Sequence, residues 1–361
     1  MKKPAAPSSA ARPPRRAVHG LLLLDKPLGW TSNDALQKAK GLLRAEKAGH
    51  TGTLDPLATG LLPLCFGAAT KFSQISLDAD KAYRATLQLG QRTSTGDLEG
   101  EVLQDRPVSI DRPMLAEVMG RFTGPINQVP PMHSALKKDG KALYEYARAG
   151  LEVERAARRV TVHAIDIIDW HDARLVIDVR CSKGTYIRTL AEDIGEALGC
   201  GAHLAGLRRT ACGPLRLAGA VTLAELAAMD EPSRLALLQP ADALLADWPR
   251  LALDEAEAGR FLTGLRRRVD QPDAPAIKVY GPQPGAFLGS AHILAGELIA
   301  DRLLSPVEVQ ALLAPIPAAT PVAAPVTAQA AAQAAAQAAA QAVAQAAAQA
   351  APQTAALLAT A

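Results

Sequence analysis

The chain has 361 residues, 49% of them hydrophobic, which is room for about two domains and a sizeable core. A net charge of +3 is too small for bulk charge alone to mark a nucleic-acid binder, so local patches have to carry any such role. No apolar run approaches the roughly eighteen residues of a membrane span, the Pro-, Ala- and Arg-rich start has no secretory h-region, and Cys65, Cys181, Cys200 and Cys212 show no C-x-x-C spacing. These features point to reduced thiols in a cytoplasmic protein with no zinc or other metal site.

Residues 1–17 carry Lys2, Lys3, Arg12, Arg15 and Arg16 among four prolines and no acid, and read as a disordered basic tail. Gly20 to Leu24 is an apolar run closed by Asp25, Lys26 and Pro27, a buried strand and its turn. Thr31, with Asp34 three residues on, opens a helix whose apolar face is Ala35, Leu36, Ala39, Leu42 and Leu43. Residues 49–60 hold Gly49, Gly52, Pro56 and Gly60, which makes a structured loop rather than a helix or strand. Asp55 is its single carboxylate, and Pro56 confines it to extended backbone. On these residues alone Asp55 is either a turn cap or a lone catalytic carboxylate on a rigid loop.

Leu61 to Phe66 is a second apolar run. Lys81 to Leu89 alternates, with Tyr83, Ala85, Leu87 and Leu89 on one face of a half-buried strand. Gln91 to Gly100 is a polar loop in which Asp97 is either the partner of an arginine or a turn cap. A helix over about 112–122 is stopped by Gly124 and Pro125. Residues 137–159 gather Lys137, Lys138, Lys141, Arg148, Arg155, Arg158 and Arg159 around Tyr144 and Tyr146. Such a segment is either a solvated helix with a strand entry or an RNA-gripping insertion, since cations beside aromatics suit phosphates and unstacked bases.

Strands are expected over Val160–Trp170 and Leu175–Cys181. After Gly184, Thr185 is the expected cap of a helix with Ile187, Leu190, Ala191, Ile194 and Leu198 as its apolar face. Arg188 falls off that face, where an arginine is usually solvated. Arg208 and Arg209, following Leu207, are placed as phosphate neutralisers, and a short helix over about 222–229 closes the first domain. Residues 231–250 read as a linker. Residues 251–305 form a small unit with a helix at about 255–262, strands at about 277–280 and 287–294, and a basic run at 266–268. Residues 315–361 are a low-complexity Ala/Gln tail, with Gln every four residues from Gln329 to Gln349.

The segment from Gly49 through His50, Thr51, Gly52, Thr53, Leu54 and Asp55 to Pro56 resembles the signature loop of the bacterial TruB-type tRNA pseudouridine-55 synthases. Residues 24–32, 81–83, 179–195 and 207–213 are similar to further motifs of that family, although Trp30 stands where a smaller residue is expected. The resemblance covers most of residues 18–230 and extends more loosely to 305. It implies an α+β catalytic domain over 18–230 on a mixed, mainly antiparallel sheet, with 137–159 as a mobile thumb, then a small PUA-like domain over 251–305. It assigns Asp55 as nucleophile, Arg188 as its partner and Tyr83 as the platform under the target base. Tyr186 and Leu207 then line the base pocket, and His50 helps hold the flipped-out RNA loop.

The activity implied is isomerisation of uridine to pseudouridine in the T stem-loop of tRNA, at position 55, without a cofactor. The implied protein is a monomer with no obligate protein partner. A carboxylate and a planar arginine suit a reaction with no redox step. Two alternatives stay open at this point: a pseudouridine synthase for another RNA, and an RNA-folding module that grips the tRNA elbow.

Overall fold

The structure, a computed structural model, describes residues 14–134 and 136–314. The expectations for residues 1–13 and for the Ala/Gln tail at 315–361 lie outside that range. The expected N-terminal tail meets the fold already at Arg16, whose N–H donates to Arg44 O at 2.9 Å and whose guanidinium pairs with Glu231 at 2.6 Å.

Strand β1 (Gly20–Lys26) leads into helix α1 (Ser32–Leu42). Thr31 caps α1: its Oγ1 accepts from the Asp34 N–H at 3.0 Å and donates to Asp34 Oδ2 at 2.6 Å. Strands β2 (Ala48–His50) and β3 (Ala58–Phe66) flank the Asp55 loop, and α2 (Ser73–Asp78) precedes β4 (Lys81–Leu89). Strands β5 (Gln91–Thr93) and β6 (Val102–Asp105) make a separate ribbon around the polar loop. Next come α3 (Arg112–Arg121), capped by Asp111, and β7 (Gly124–Gln128).

The basic insertion opens on a hairpin of β8 (Lys137–Lys138) and β9 (Lys141–Ala142), followed by α4 (Leu143–Arg148). Asp139 and Gly140 make the hairpin turn with φ of 52° and 80°, the paired positive values that an Asp-Gly turn supplies. Strands β10 (Arg158–His171) and β11 (Arg174–Cys181) are antiparallel, and α5 (Ile187–Ala197) covers them with Ile187, Leu190, Ala191 and Ile194. Thr185 is not the cap of α5. Its Oγ1 turns back to donate to Ser182 O at 2.9 Å, and Tyr186 holds the cap position with no side-chain capping bond. Strand β12 (Ala202–Cys212) follows, then the short β13 (Leu215–Arg216) and β14 (Val221–Thr222), α6 (Leu223–Ala228) and α7 (Glu231–Ala236).

A ten-stranded sheet results, ordered β14-β1-β3-β12-β4-β11-β10-β7, with β2 on β3 and β13 on β12. Only β14–β1 and β3–β12 are parallel, so the sheet is mixed and mainly antiparallel, and the domain is α+β as expected. Strand β12 is irregular against β4 at two places, between Leu204 and Gly206 and between Arg209 and Ala211. These bulges bracket Leu207, Arg208 and Arg209 and re-aim their side chains.

The small PUA-like unit is a five-stranded sheet of β15 (Arg250–Ala252), β16 (Arg267–Arg268), β17 (Ala274–Tyr280), β18 (Phe287–Leu294) and β19 (Glu297–Leu303), with α8 (Glu255–Leu262) and α9 (Pro306–Leu313). One hydrophobic cluster joins the two sheets: Leu21, Leu61 and Phe72 on one side, Val279, Phe287 and Leu298 on the other. The Phe72 and Phe287 rings lie 5.1 Å apart at 50°, an arrangement worth roughly 0.5–1.5 kcal/mol beyond their burial. Residues of the expected linker enter the same cluster, since Ala241, Leu244 and Leu245 are buried in it.

Candidate active site

The Asp55 loop is held from both sides before its carboxylate does anything. Ser32 Oγ donates to Leu54 O at 3.0 Å and accepts from Leu54 N at 2.8 Å. The Gly29 N–H donates to Pro56 O at 2.8 Å, and the Ala58 N–H to Asp55 O at 3.0 Å. Upstream, the buried Thr51 receives a hydrogen bond from Ser76 Oγ at 2.9 Å. Lys26 is fully buried and donates to Trp30 O at 2.6 Å and Pro27 O at 3.0 Å, which fixes the turn bearing Gly29. Burial lowers the Lys26 pKa to about 8, with the nearby Asp55 charge pulling it back up.

On this scaffold Asp55 is 46% exposed, while Arg188 is 8% exposed, and Arg188 Nη2 lies 3.0 Å from Asp55 Oδ2. Nη2 also donates to His133 O at 2.6 Å. The other terminal nitrogen, Nη1, pairs with Asp97 Oδ2 at 3.3 Å and reaches Thr95 O at 3.5 Å. The guanidinium fork therefore does not close on one carboxylate; it bridges two. Asp97, only 4% exposed, is itself fixed by Thr95 Oγ1 at 2.5 Å and by the Glu99 N–H at 3.1 Å. Sequence periodicity put Arg188 on a solvated face of α5. It is buried because the 95–97 loop and the 133 carbonyl, both distant in sequence, fold over the first turn of the helix.

Tyr83 lies opposite Val179 on β11 and Arg209 on β12, packed between the two halves of the sheet's core. Burial pushes its phenol up to about 12, with the Arg209 guanidinium beside it working the other way. Leu207 sits opposite Ala58, just after the Asp55 loop, and contacts the same two clusters. The Tyr186 phenol is also raised by burial, with Arg158, Arg188 and Asp55 among its charged neighbours. His50 ends β2; burial and the Arg209 charge lower its pKa, and its buried Nδ1 has no hydrogen-bond partner among the described residues.

Arg208 and Arg209 are not free phosphate neutralisers. Arg209 is 1% exposed, and it donates from Nε to Leu61 O at 2.7 Å and from Nη2 to Gly52 O at 3.2 Å. It thus ties β3, the Asp55 loop and Tyr83 together. Arg208 pairs with both oxygens of Asp25, at 2.6 and 3.1 Å. Alternation along β12 explains the split, because neighbouring side chains face opposite sides of the sheet. In the basic run at 266–268, Arg267 is taken up by Glu257.

In the insertion, Lys141 Nζ lies 4.8 Å from the centre of the Tyr146 ring, and the Arg148 guanidinium 5.3 Å from that of Tyr144. These cation–aromatic pairs keep charge and ring surface together at the outside of the fold. Arg155 instead turns inward to Pro130 O.

The roles of Arg209, Lys26 and the His133 carbonyl were not read from sequence. Arg209 and the His133 carbonyl act through partners far away in sequence, and Lys26, although it bonds Pro27 and Trp30 next to it, stands in a turn whose burial no local pattern announces. No helix among the described residues is long and apolar enough to cross a membrane.

Residues 40–187 match the TruB family pseudouridylate synthase N-terminal domain, and residues 188–246 the tRNA pseudouridylate synthase B C-terminal domain. Over 318 residues the chain is 58% identical to the tRNA pseudouridine synthase B of Verminephrobacter eiseniae, covering 86% of this chain and 96% of that one. Over 303 residues it is 61% identical to the tRNA pseudouridine synthase B of Cupriavidus pinatubonensis, covering 81% and 96%. Among solved structures, the archaeal box H/ACA sRNP Nop10-Cbf5 complex matches with a TM-score of 0.61 at 23% identity, over 81% of this chain and 88% of that chain, a likeness of fold. With such identity along nearly the whole length of the curated relatives, the chain belongs to the TruB family of pseudouridylate synthases.

Proposed function

We propose that the protein converts uridine to pseudouridine at position 55 in the T-loop of tRNA, with Asp55 as the nucleophile. The observation that carries this reading is the half-open Asp55 carboxylate, 3.0 Å from a buried arginine and set on a loop hydrogen-bonded at both flanks. The reaction is an isomerisation. The C1′–N1 bond breaks, the base turns, C1′ bonds to C5, and the proton lost from C5 is balanced by one gained at N1. A carboxylate that adds covalently, or that stabilises charge at C1′, is what such a reaction requires.

The target base has to leave its stack, which costs a few kcal/mol. Tyr83 supplies an aromatic platform for the flipped base, Tyr186 and Leu207 line its pocket, and His50 supports the opened RNA loop. The names of these relatives, tRNA pseudouridine synthase B, support tRNA as the substrate. The 137–159 thumb grips the stem through its cations and tyrosines, and the 251–305 unit serves as a second RNA-binding domain.

Tritium release from a tRNA transcript labelled at C5 of uridine tests the reading. Release should be complete for one uridine per transcript and absent when that T-loop uridine is replaced by cytidine. Release that persists in the substituted transcript would place the target elsewhere.

A further inference from the structure

Gln128 ends β7 at the point where the chain leaves the sheet for the basic insertion, opposite Arg158 on β10, where the chain returns. It is 2% exposed. Its amide reaches across to a single residue: Oε1 accepts from the Tyr186 N–H at 3.1 Å, and Nε2 donates to Tyr186 O at 3.3 Å. The N–H groups at a helix start have no intrahelical partners, and no side chain caps α5 locally. Gln128 supplies the missing partner from another strand. Because it grips both polar groups of one residue, it fixes the tilt of the Tyr186 backbone as well as its distance.

The same stretch of chain then touches the site again, since His133 O accepts from Arg188 Nη2 at 2.6 Å. Tyr186 and Arg188 stand two residues apart at the start of α5, so a clamp on the Tyr186 backbone sets the origin from which both side chains project. A buried amide with one donor and one acceptor satisfied is expensive to leave unpaired, which makes the clamp firm in both directions.

We propose that Gln128 is a positioning residue for the pseudouridylation site, holding the Tyr186 backbone so that the phenol and Arg188 are in place before RNA binds. The proposal rests on the reading of Tyr186 as a wall of the target-base pocket. Gln128 sits at the root of the thumb, so RNA gripped by the insertion is registered against the same residue that sets the pocket.

The test compares Gln128→Met, which keeps the length of the side chain and removes both hydrogen bonds, with the unaltered enzyme. Single-turnover tritium release at saturating tRNA, RNA affinity by filter binding and melting temperature are measured together. The rate should fall about 10- to 100-fold, the loss expected when a reacting group is misplaced by about 1 Å. RNA affinity should hold, because phosphate contacts dominate it. In a Tyr186→Leu background, adding Gln128→Met should cost less than it does alone, since the part of its loss that acts through the phenol is already gone while the part that acts through Arg188 remains. Should Gln128→Met fold poorly, Gln128→Asn, one methylene short of Tyr186, carries the same expectation. Wild-type rates per folded molecule, or losses that multiply in the double variant, overturn the clamp. A wild-type rate in Tyr186→Leu alone overturns the pocket reading, and the proposal with it.

Discussion

Arg188 holds Asp55 at 3.0 Å with one terminal nitrogen while the other is committed to Asp97 at 3.3 Å. The arginine is thus not a counter-charge that follows the carboxylate. Asp97 and the carbonyls of Thr95 and His133 anchor it, and Asp55, the more exposed partner, is held against a fixed cation.

Replacing Asp55 with Asn keeps its shape and removes the charge and the proposed nucleophile. Single-turnover rates should fall by roughly 10³-fold or more, the scale of loss for a group that acts in the chemical step. Affinity for tRNA should change little in filter binding at matched salt, because phosphate contacts carry it. A variant that turns over like the wild type would falsify the nucleophile assignment.

Arg188→Lys looks conservative and should not be. A single ammonium cannot serve Asp55 and Asp97 at once, whereas the planar guanidinium offers separate nitrogens to each. Asp97→Asn leaves the arginine but removes its anchor. Both variants should slow the single-turnover rate, Arg188→Lys more than Asp97→Asn, the latter by about 10- to 100-fold as expected from a misplaced group. Equal rates for Asp97→Asn and wild type would detach Asp97 from the site.

What could be read from the sequence was what local patterning encodes. The alternation of Tyr83, Ala85, Leu87 and Leu89 gave β4, and the 3.6-residue spacing of Ile187, Leu190 and Ile194 gave α5. The Asp139-Gly140 hairpin was also legible in principle, since Asp-Gly is a strong turn signal, but strands of two residues have no periodicity to recognise. Arg188 was placed on a solvated face because helix periodicity cannot see Asp97 or His133 folding over it. Gln128 had no signal at all, because its amide bonds cross from one sheet edge to the start of a helix. Candidate site residues such as Asp55 were reached through motif resemblance, not through pattern.

The adjacent arginines of β12 should separate cleanly. Arg209→Met strips hydrogen bonds from the carbonyls of Leu61 and Gly52 in a buried setting and should cost about 2–5 kcal/mol. Arg208→Ala breaks a partly exposed pair with Asp25 and should cost about 1 kcal/mol or less. Urea denaturation of the two variants checks the order. Comparable losses would mean that Arg209 is not the strut that joins Tyr83, β3 and the Asp55 loop.

Tyr83 offers a ring and a hydroxyl, and two substitutions part them. With its phenol pushed up to about 12, Tyr83 stays protonated throughout the usual assay range. Tyr83→Phe keeps the platform and should lose little if stacking is its role, because base–aromatic stacking is worth about 1–3 kcal/mol regardless of the hydroxyl. Tyr83→Leu removes the ring and should be severe. Matching severe losses in both variants would shift the role to the hydroxyl.

The alkaline limb of stability follows from buried groups of opposite sign. Burial drives Cys65 up to about 12 and Cys181 to about 11, and Tyr83 stands at about 12. Unfolding returns them to ordinary values near 8.5 for thiols and 10 for tyrosine. Between those values and the folded ones, the unfolded chain has released protons that the native chain keeps. Stability from these groups is therefore full below about pH 8.5 and is lost as pH rises towards 12. Lys26 acts the other way. Its folded pKa of about 8 lies below the ordinary lysine value, so the native chain sheds this proton first and gains stability from about pH 8 to 10.4. Each group contributes at most about 1.4 kcal/mol per pH unit. Lys26 opposes both thiols, which begin to ionise together in the unfolded chain near pH 8.5, with Tyr83 joining near pH 10, so stability should peak between about pH 8 and 9 and then fall. Urea denaturation from pH 7.5 to 10.5 measures it. Cys65→Ala should flatten the falling limb, and Lys26→Met should remove the rise before it. A monotonic decline beginning at pH 7.5 in the wild type would mean that Lys26 enters the folded state as an ordinary charged lysine.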